Sequence, residues 1–174
     1  MTILIVIIAI CLILIGLSVL MGNVMKIENK INVNKSDAEV FDFLKLVKNQ
    51  DLFSVWNMAD PNMSKTYNGT DGEVGFVYGW KSETNKNVGQ GEQEITKITP
   101  TNRIDFALRF EKPMKNTAAS YFEIKKINEN STDVTWTFEG PSKFPMNLFM
   151  PIFKKMLAKD MTQSLENLKV YLEK

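Results

Sequence analysis

The sequence contains no histidine. That removes the commonest general base and the commonest metal ligand, and with them every Ser–His or Cys–His nucleophile arrangement. It has one cysteine, Cys11, in an uncharged stretch near the N-terminus, so the rest of the chain has neither a disulfide framework nor thiol chemistry. An excess of charge of one sign is missing too: 21 Lys and Arg against 20 Asp and Glu leave a formal net charge of +1. A nucleic-acid surface needs a concentrated basic face, and this balance argues against one. Nucleotide-phosphate fingerprints are absent, because "GTDGEVG" reads as a hairpin turn and not as a G-x-G-x-x-G opening a helix. No cofactor or metal site is expected, and nothing in the sequence sets an oligomeric state.

What is present begins with "ILIVIIAICLILIGLSVLM", Ile3 to Met21, which has no charge. As a helix this run covers roughly 28 Å at about 1.5 Å per residue, close to the hydrocarbon thickness of a bilayer. It reads as a transmembrane helix, with residues 1–22 an anchor and residues 23–174 one further domain. A cleavable signal peptide is the rival reading, but it wants a basic n-region and small residues before the cut. Only Met1 and Thr2 precede the run, and no such site follows. A lipoprotein reading of Cys11 fails on Ile10, which stands where a small residue is expected. Lys26, Lys30 and Lys35 follow the run and nothing basic precedes it, so the positive-inside rule expects a single-pass protein with its domain in the cytoplasm.

Beyond the anchor, "KIENKINVNK" alternates as a first strand, and Ser36 with Glu39 forms a capping-box signature ahead of Val40, Phe41, Leu44 and Val47 at helical spacing. A second short helix is expected over "NQDLFSVWNM", ending at Asp60-Pro61. From Lys65 to Glu139 alternating runs separated by turn chemistry predict six strands, roughly 63–68, 73–82, 86–98, 103–111, 116–127 and 132–139. The chain closes with a helix over about Met146 to Glu173, with Pro151 in its first turns. One helix cannot cover a seven-stranded sheet unless the sheet curls around it.

Curvature plus one helix leaves a hollow, filled either by side chains or by a ligand. In "EVGFVYGWKS" the face bearing Val74, Phe76, Tyr78 and Trp80 is expected to look into it, with Gly75 and Gly79 letting the strand bend. The residues expected to line it are Trp56, Phe76, Tyr78, Trp80, Phe106, Tyr121, Trp136, Met146, Phe149, Met150 and Phe153, each with plain core packing as its alternative role. Met58, Met63, Met114 and Met156 lie in the neighbouring loops and helix start. Glu92 and Glu94 share a strand face and would perturb each other in an apolar cavity; on an outer face they are merely solvated. Arg103, Asp105, Arg109 and Glu111 read as cross-strand ion pairs on the outside of the sheet. The N-x-S/T triplets at Asn62, Asn68 and Asn130 read as chance.

The order of a strand, two short helices, a six-stranded meander and one long C-terminal helix resembles the helix-grip fold of the START-like, birch-pollen-allergen-like superfamily (SRPBCC). It is most similar to its bacterial polyketide cyclase/dehydrase and lipid-transport proteins. The resemblance is carried by "INVNKSDAEVFDFLKLVKNQDLFSVWNM", "GEVGFVYGW", "NVGQGEQEITKITPTNRIDFALRF", "STDVTWTFEG" and "MTQSLENLKVYL", and covers residues 24 to 174. It implies an α+β fold in which a curved seven-stranded antiparallel sheet grips the last helix, with a cavity between them for a lipid or another hydrophobic small molecule. The superfamily has no shared catalytic motif to carry over. The reading that follows is a membrane-anchored domain binding such a molecule without catalysis. The alternatives are a cyclase- or dehydratase-like enzyme using Glu92, Tyr78 or Tyr121 to move a proton, and an interaction or sensory module with a vestigial cavity.

Overall fold

The computed structural model describes residues 1–174, the side chain of Cys11 excepted. Helix α1 (Thr2–Met21) is apolar all round, and of its described side chains only that of Ser18 is buried. It is long and apolar enough to cross a bilayer. It stops at Gly22, whose φ of 73° is open to glycine. Strand β1 (Val24–Val33) follows after only Gly22 and Asn23.

Helix α2 (Asp37–Leu44) starts as its sequence dictates. The Ser36 hydroxyl accepts from the Glu39 N–H at 3.3 Å, and the Glu39 carboxylate accepts from the Ser36 N–H at 3.2 Å. These two reciprocal bonds satisfy groups that the helix end leaves orphaned. A 3-10 turn (Val47–Leu52) and helix α3 (Val55–Ala59) lead into β2 (Ser64–Asn68), β3 (Val77–Lys81), β4 (Gln90–Thr99), β5 (Arg103–Lys112), β6 (Asn116–Asn128) and β7 (Ser131–Pro141). A second 3-10 turn (Met146–Phe149) precedes helix α4 (Met150–Leu172). The seven strands form one antiparallel sheet in the order β1-β7-β6-β5-β4-β3-β2, folded around α4 as the α+β helix-grip reading expects.

Three details depart from expectation. The strand expected over 73–82 begins only at Val77, because Gly75 takes a φ of 91° and turns Val74 out to solvent. Phe76 keeps contact with the ladder through its carbonyl, which accepts from the Ile95 N–H at 3.0 Å. The bend lies elsewhere, in two register shifts of β4 at Gln90/Gly91 and Ile95/Lys97. Gly79 instead leaves room for the Thr66 hydroxyl, which a Cβ there would push aside. Finally, α4 starts at Met150, so Pro151 stands in the first turn, where its missing N–H has no intrahelical acceptor to lose and no kink results.

The register fixes which end of the sheet lies beside α1. The starts of β1, β6, β4 and β2 and the ends of β7, β5 and β3 share that end. Helix α4 starts there too and runs alongside β1: the Asn29 amide donates to the Ala158 carbonyl at 2.8 Å, and the Lys169 ammonium donates to the Asn32 carbonyl at 2.6 Å. At the far end the interior is solid. Val33, Val40, Leu44, Val47, Phe53, Ile104, Phe122, Val134, Leu165 and Leu168 are all buried to within 1% of complete exclusion, which is the close-packed state expected of a core.

Candidate functional site

Reading the concave face of the sheet row by row locates the hollow. Nearest the α1 end, Trp80, Gly91 and Phe110 are cross-strand neighbours, and the next row holds Tyr78, Gln93, Leu108 and Ala118. The third row joins Ile95, Phe106, Ser120, Phe138 and Ile27, and the fourth Ile104, Phe122, Trp136 and Asn29. The small residues Gly91, Ala118 and Ser120 fall in the first three rows, while the deeper face carries Phe and Ile. Space is therefore left over the first rows, and a cavity of about 280 Å³ occupies it. Trp56, Gln50, Ser54, Asn57 and Met63 wall it on one side, and Leu157 and Met161 of α4 roof it. Its exposed lining residues, Asn87, Lys112 and Pro113, place the mouth at the α1 end.

Trp80, Trp136 and Tyr78 are each held by a partner for the polar atom. The Trp80 indole donates to the Val88 carbonyl at 3.1 Å and packs edge-on against Phe110. Glycine at 91 is a necessity, since a Cβ would stand 2.6 Å from the Arg109 carbonyl and 2.7 Å from the Trp80 ring. The Trp136 indole donates to the Ser120 hydroxyl at 2.8 Å, which in turn donates to the Thr137 carbonyl at 3.0 Å. Trp56 meets Trp136 edge to face, ring centres 5.9 Å apart.

Tyr78 is the polar hinge of the wall. Its hydroxyl lies 3.4 Å from an Asp51 carboxylate oxygen and accepts from the Asn57 amide at 3.1 Å; Asp51 is also paired with Lys65 at 2.7 Å. Burial, and then the charge of Asp51, push the phenol pKa well above its ordinary value, so this hydroxyl keeps its proton and acts as a hydrogen-bonding group. Gln93 differs from all of these. It is 92% buried in the wall, and its amide nitrogen has no hydrogen-bond partner. A buried donor in that state costs about 1–3 kcal/mol.

Of the eleven residues expected at the cavity, the structure brings together Trp56, Tyr78, Trp80 and Trp136. Phe76 and Phe106 point the same way but pack into the solid interior. Tyr121 sits one residue out of phase with Ser120 and Phe122, on the outer face, where the Arg103 guanidinium lies 3.6 Å from its ring centre. Met146, Phe149, Met150 and Phe153 precede the stretch of α4 that roofs the cavity; Met150 is buried, and Phe149 is half exposed. Gln50, Gln93, Leu108, Ser120, Leu157 and Met161 are lining residues that alternation of large aromatics could not single out. Glu92 and Glu94 lie on the outer face, both bound to Arg109, the latter at 2.7 Å. Arg103 bridges Asp105 and Glu123 beside them. Among the described residues no cluster of acidic or thiol side chains could hold a metal ion.

The sequence profile of the family described as polyketide cyclase / dehydrase and lipid transport matches residues 25–173. The chain belongs to this family. No curated protein matches it by sequence. Among solved structures, protein CV1439 from Chromobacterium violaceum superposes with a TM-score of 0.61 at 13% identity, over 86% of this chain and 99% of its own. Truncated norcoclaurine synthase from Thalictrum flavum gives 0.62 at 10% identity, over 84% and 94%. The Aha1 dimer of Colwellia psychrerythraea gives 0.55 at 16%, over 85% and 96%. At these identities the likeness is one of fold. The family therefore supplies the frame, and this chain's own residues decide what its cavity takes.

Proposed function

We propose that this family member is a membrane-anchored binding protein for an amphipathic small molecule, with residues 1–22 as the anchor, residues 23–174 as the binding domain, and no chemistry of its own. The observation that carries the reading is the unpartnered Gln93 amide in a wall dominated by apolar and aromatic side chains. The terminal amide torsion of Gln93 is soft and two-fold, and a half-turn would present that donor to a ligand's acceptor while the ligand's apolar part fills the hollow. At about 280 Å³ the hollow lies at the small end of ligand pockets, which run to roughly 300–1,000 Å³. That fits one acyl chain or a two-ring molecule and is too small for a two-chain lipid. Of the three groups that the enzyme alternative would use, Glu92 and Tyr121 face outward, and Tyr78 is held protonated.

Retention of the N-terminal helix is supported by Asn147, which is fully buried. Its amide donates to the Ser18 and Gly22 carbonyls at 2.8 and 3.0 Å, and its oxygen accepts from the Ser18 hydroxyl at 2.9 Å. Cleavage of a signal peptide would strip this residue of all three partners. The lysines after the helix favour a cytoplasmic placement.

The test is gentle extraction followed by native mass spectrometry, with titration of the fluorescent probe 2-acetylnaphthalene. A co-purified small molecule or saturable 1:1 probe binding, abolished by Leu157→Trp in folded protein, is expected. The absence of both would overturn the reading in favour of an interaction module.

A further inference from the structure

Helix α4 changes character along its outer face. Phe149, Ile152 and Met156 stand at helical spacing and are 50%, 67% and 56% exposed, and Phe144 just before them is 53% exposed. From Lys159 to Glu166 the exposed positions are polar, with Thr162 and Gln163 between them, and Val170 and Tyr171 are exposed again only at the far end of the helix. The apolar stripe is thus confined to the first two turns, which lie at the α1 end of the sheet. Lysines flank it: between Pro141 and Lys159 the chain carries Lys143, Lys154, Lys155 and Lys159 and no carboxylate. An apolar stripe bordered by lysines is the pattern of a segment lying in the interface of an anionic bilayer.

The stripe's position beside the membrane is set by covalent and hydrogen-bonded links. Asn147 closes the C-terminal end of α1 from within the 3-10 turn that leads into the stripe, and the Ser142 N–H donates to the Asn23 carbonyl at 2.8 Å. Only two residues separate α1 from β1. Where α1 leaves the bilayer, the 3-10 turn and the first turns of α4 must therefore follow at headgroup level.

We infer that the face formed by Phe144, Phe149, Ile152 and Met156 with its flanking lysines docks on the anionic surface of the same membrane that α1 crosses, and turns the mouth of the cavity toward it. This rests on the anchored-binding reading above. Lys112 at the mouth then meets the headgroup region, so the amphiphile would enter from the lipid phase with its chain and need not cross water.

The test uses the full chain in nanodiscs that hold a single copy, with Cys11→Ser as background. A fluorophore is placed in turn on cysteines at Phe149, Ile152 and, as the far control, Glu166. Lipids quenched at shallow chain depth, in discs with or without phosphatidylserine, read contact. Quenching at 149 and 152 but not at 166, stronger with the anionic lipid, is expected. Replacing Lys143, Lys154 and Lys155 by Gln should weaken docking about fivefold per lysine, and Ile152→Glu should release position 149. Quenching equal at all three positions or absent from 149 and 152 overturns the inference, as does protection of Phe149 that appears only when two copies share a disc. A mature chain found by mass to lack residues 1–22 overturns both the anchor and the docking. Loss of 2-acetylnaphthalene binding with quenching intact overturns the binding reading alone.

Discussion

Gln93→Leu should stabilise the ligand-free protein. The side chain is nearly excluded from solvent between Tyr78 and Leu108, and its amide nitrogen has no partner. Leucine has similar volume and brings no donor, so the substitution removes a desolvation cost of about 1–3 kcal/mol without opening a cavity. A net gain of about 1–2 kcal/mol converts to roughly 2–8 °C in Tm for a chain of this size. Binding should move the other way. For 2-acetylnaphthalene the loss of one hydrogen bond is worth about 0.5–1.5 kcal/mol, roughly 2- to 12-fold in Kd. Its isostere 2-isopropenylnaphthalene, with a methylene in place of the carbonyl oxygen, should bind the variant at least as well as the wild type. Thermal unfolding by circular dichroism and probe titration on the same preparations measure both. A lower Tm would refute the premise that the amide is unsatisfied. Equal losses for the two naphthalenes would refute its role in recognising an acceptor.

Gly91→Ala forces a Cβ against the Arg109 carbonyl and the Trp80 ring; overpacking of this kind costs about 1–3 kcal/mol, and a shifted tryptophan emission should accompany the lower denaturation midpoint. Arg109→Ala removes the partner of Glu92 and Glu94, but the group is more than a third exposed, so a loss under about 1 kcal/mol and unchanged probe affinity are expected by chemical denaturation. The Asp60 carboxylate is held below its ordinary pKa chiefly by the Ser82 hydroxyl, with Thr84 assisting. A depressed folded-state pKa gives stability that is complete above the unfolded carboxylate pKa and is lost as pH falls through the folded one. Ser82→Ala should accordingly flatten the acid limb of the stability–pH curve and leave its neutral plateau lower, as denaturation at pH 3 to 7 would show.

Much of this architecture is legible in the sequence because local signals agree with the fold. Ser36 and Glu39 mark the start of α2, alternation marks β5 and β7, and one long helix with an apolar stripe at the end demands a curled sheet. The departures have local causes. Gly75 and Val74 continue the alternation of β3 on paper, but with a φ of 91° at Gly75 the strand starts only two residues later, at Val77. The cavity is less legible because bulky aromatics report only which face is inside. Phe106 and Trp136 share a face, yet one packs solid and the other borders space. The informative residues are the small ones on that buried face, Gly91, Ala118 and Ser120, which leave volume unfilled. Tyr121 shows the converse: it follows Ser120 directly, so strand parity alone turns it outward.

The division of the interior also explains how an open hollow is compatible with a stable fold. The far half of α4 is fixed to everything around it. Leu165 and Leu168 are completely buried, the Val55 N–H donates to the Ser164 hydroxyl at 3.0 Å, and the Asn167 amide donates to the Phe53 carbonyl at 3.1 Å. The near half has one side-chain tether to the sheet, from Asn29 to Ala158 and Thr162, and its N-cap residue Phe149 makes no side-chain cap. Native stability is not uniform, and segments with few buried contacts open first. The same helix is thus clamped where the protein needs a core and lightly held where a ligand has to pass. On the membrane-anchored reading proposed above, Asn147, by bonding the near end to α1, sets the direction from which it passes.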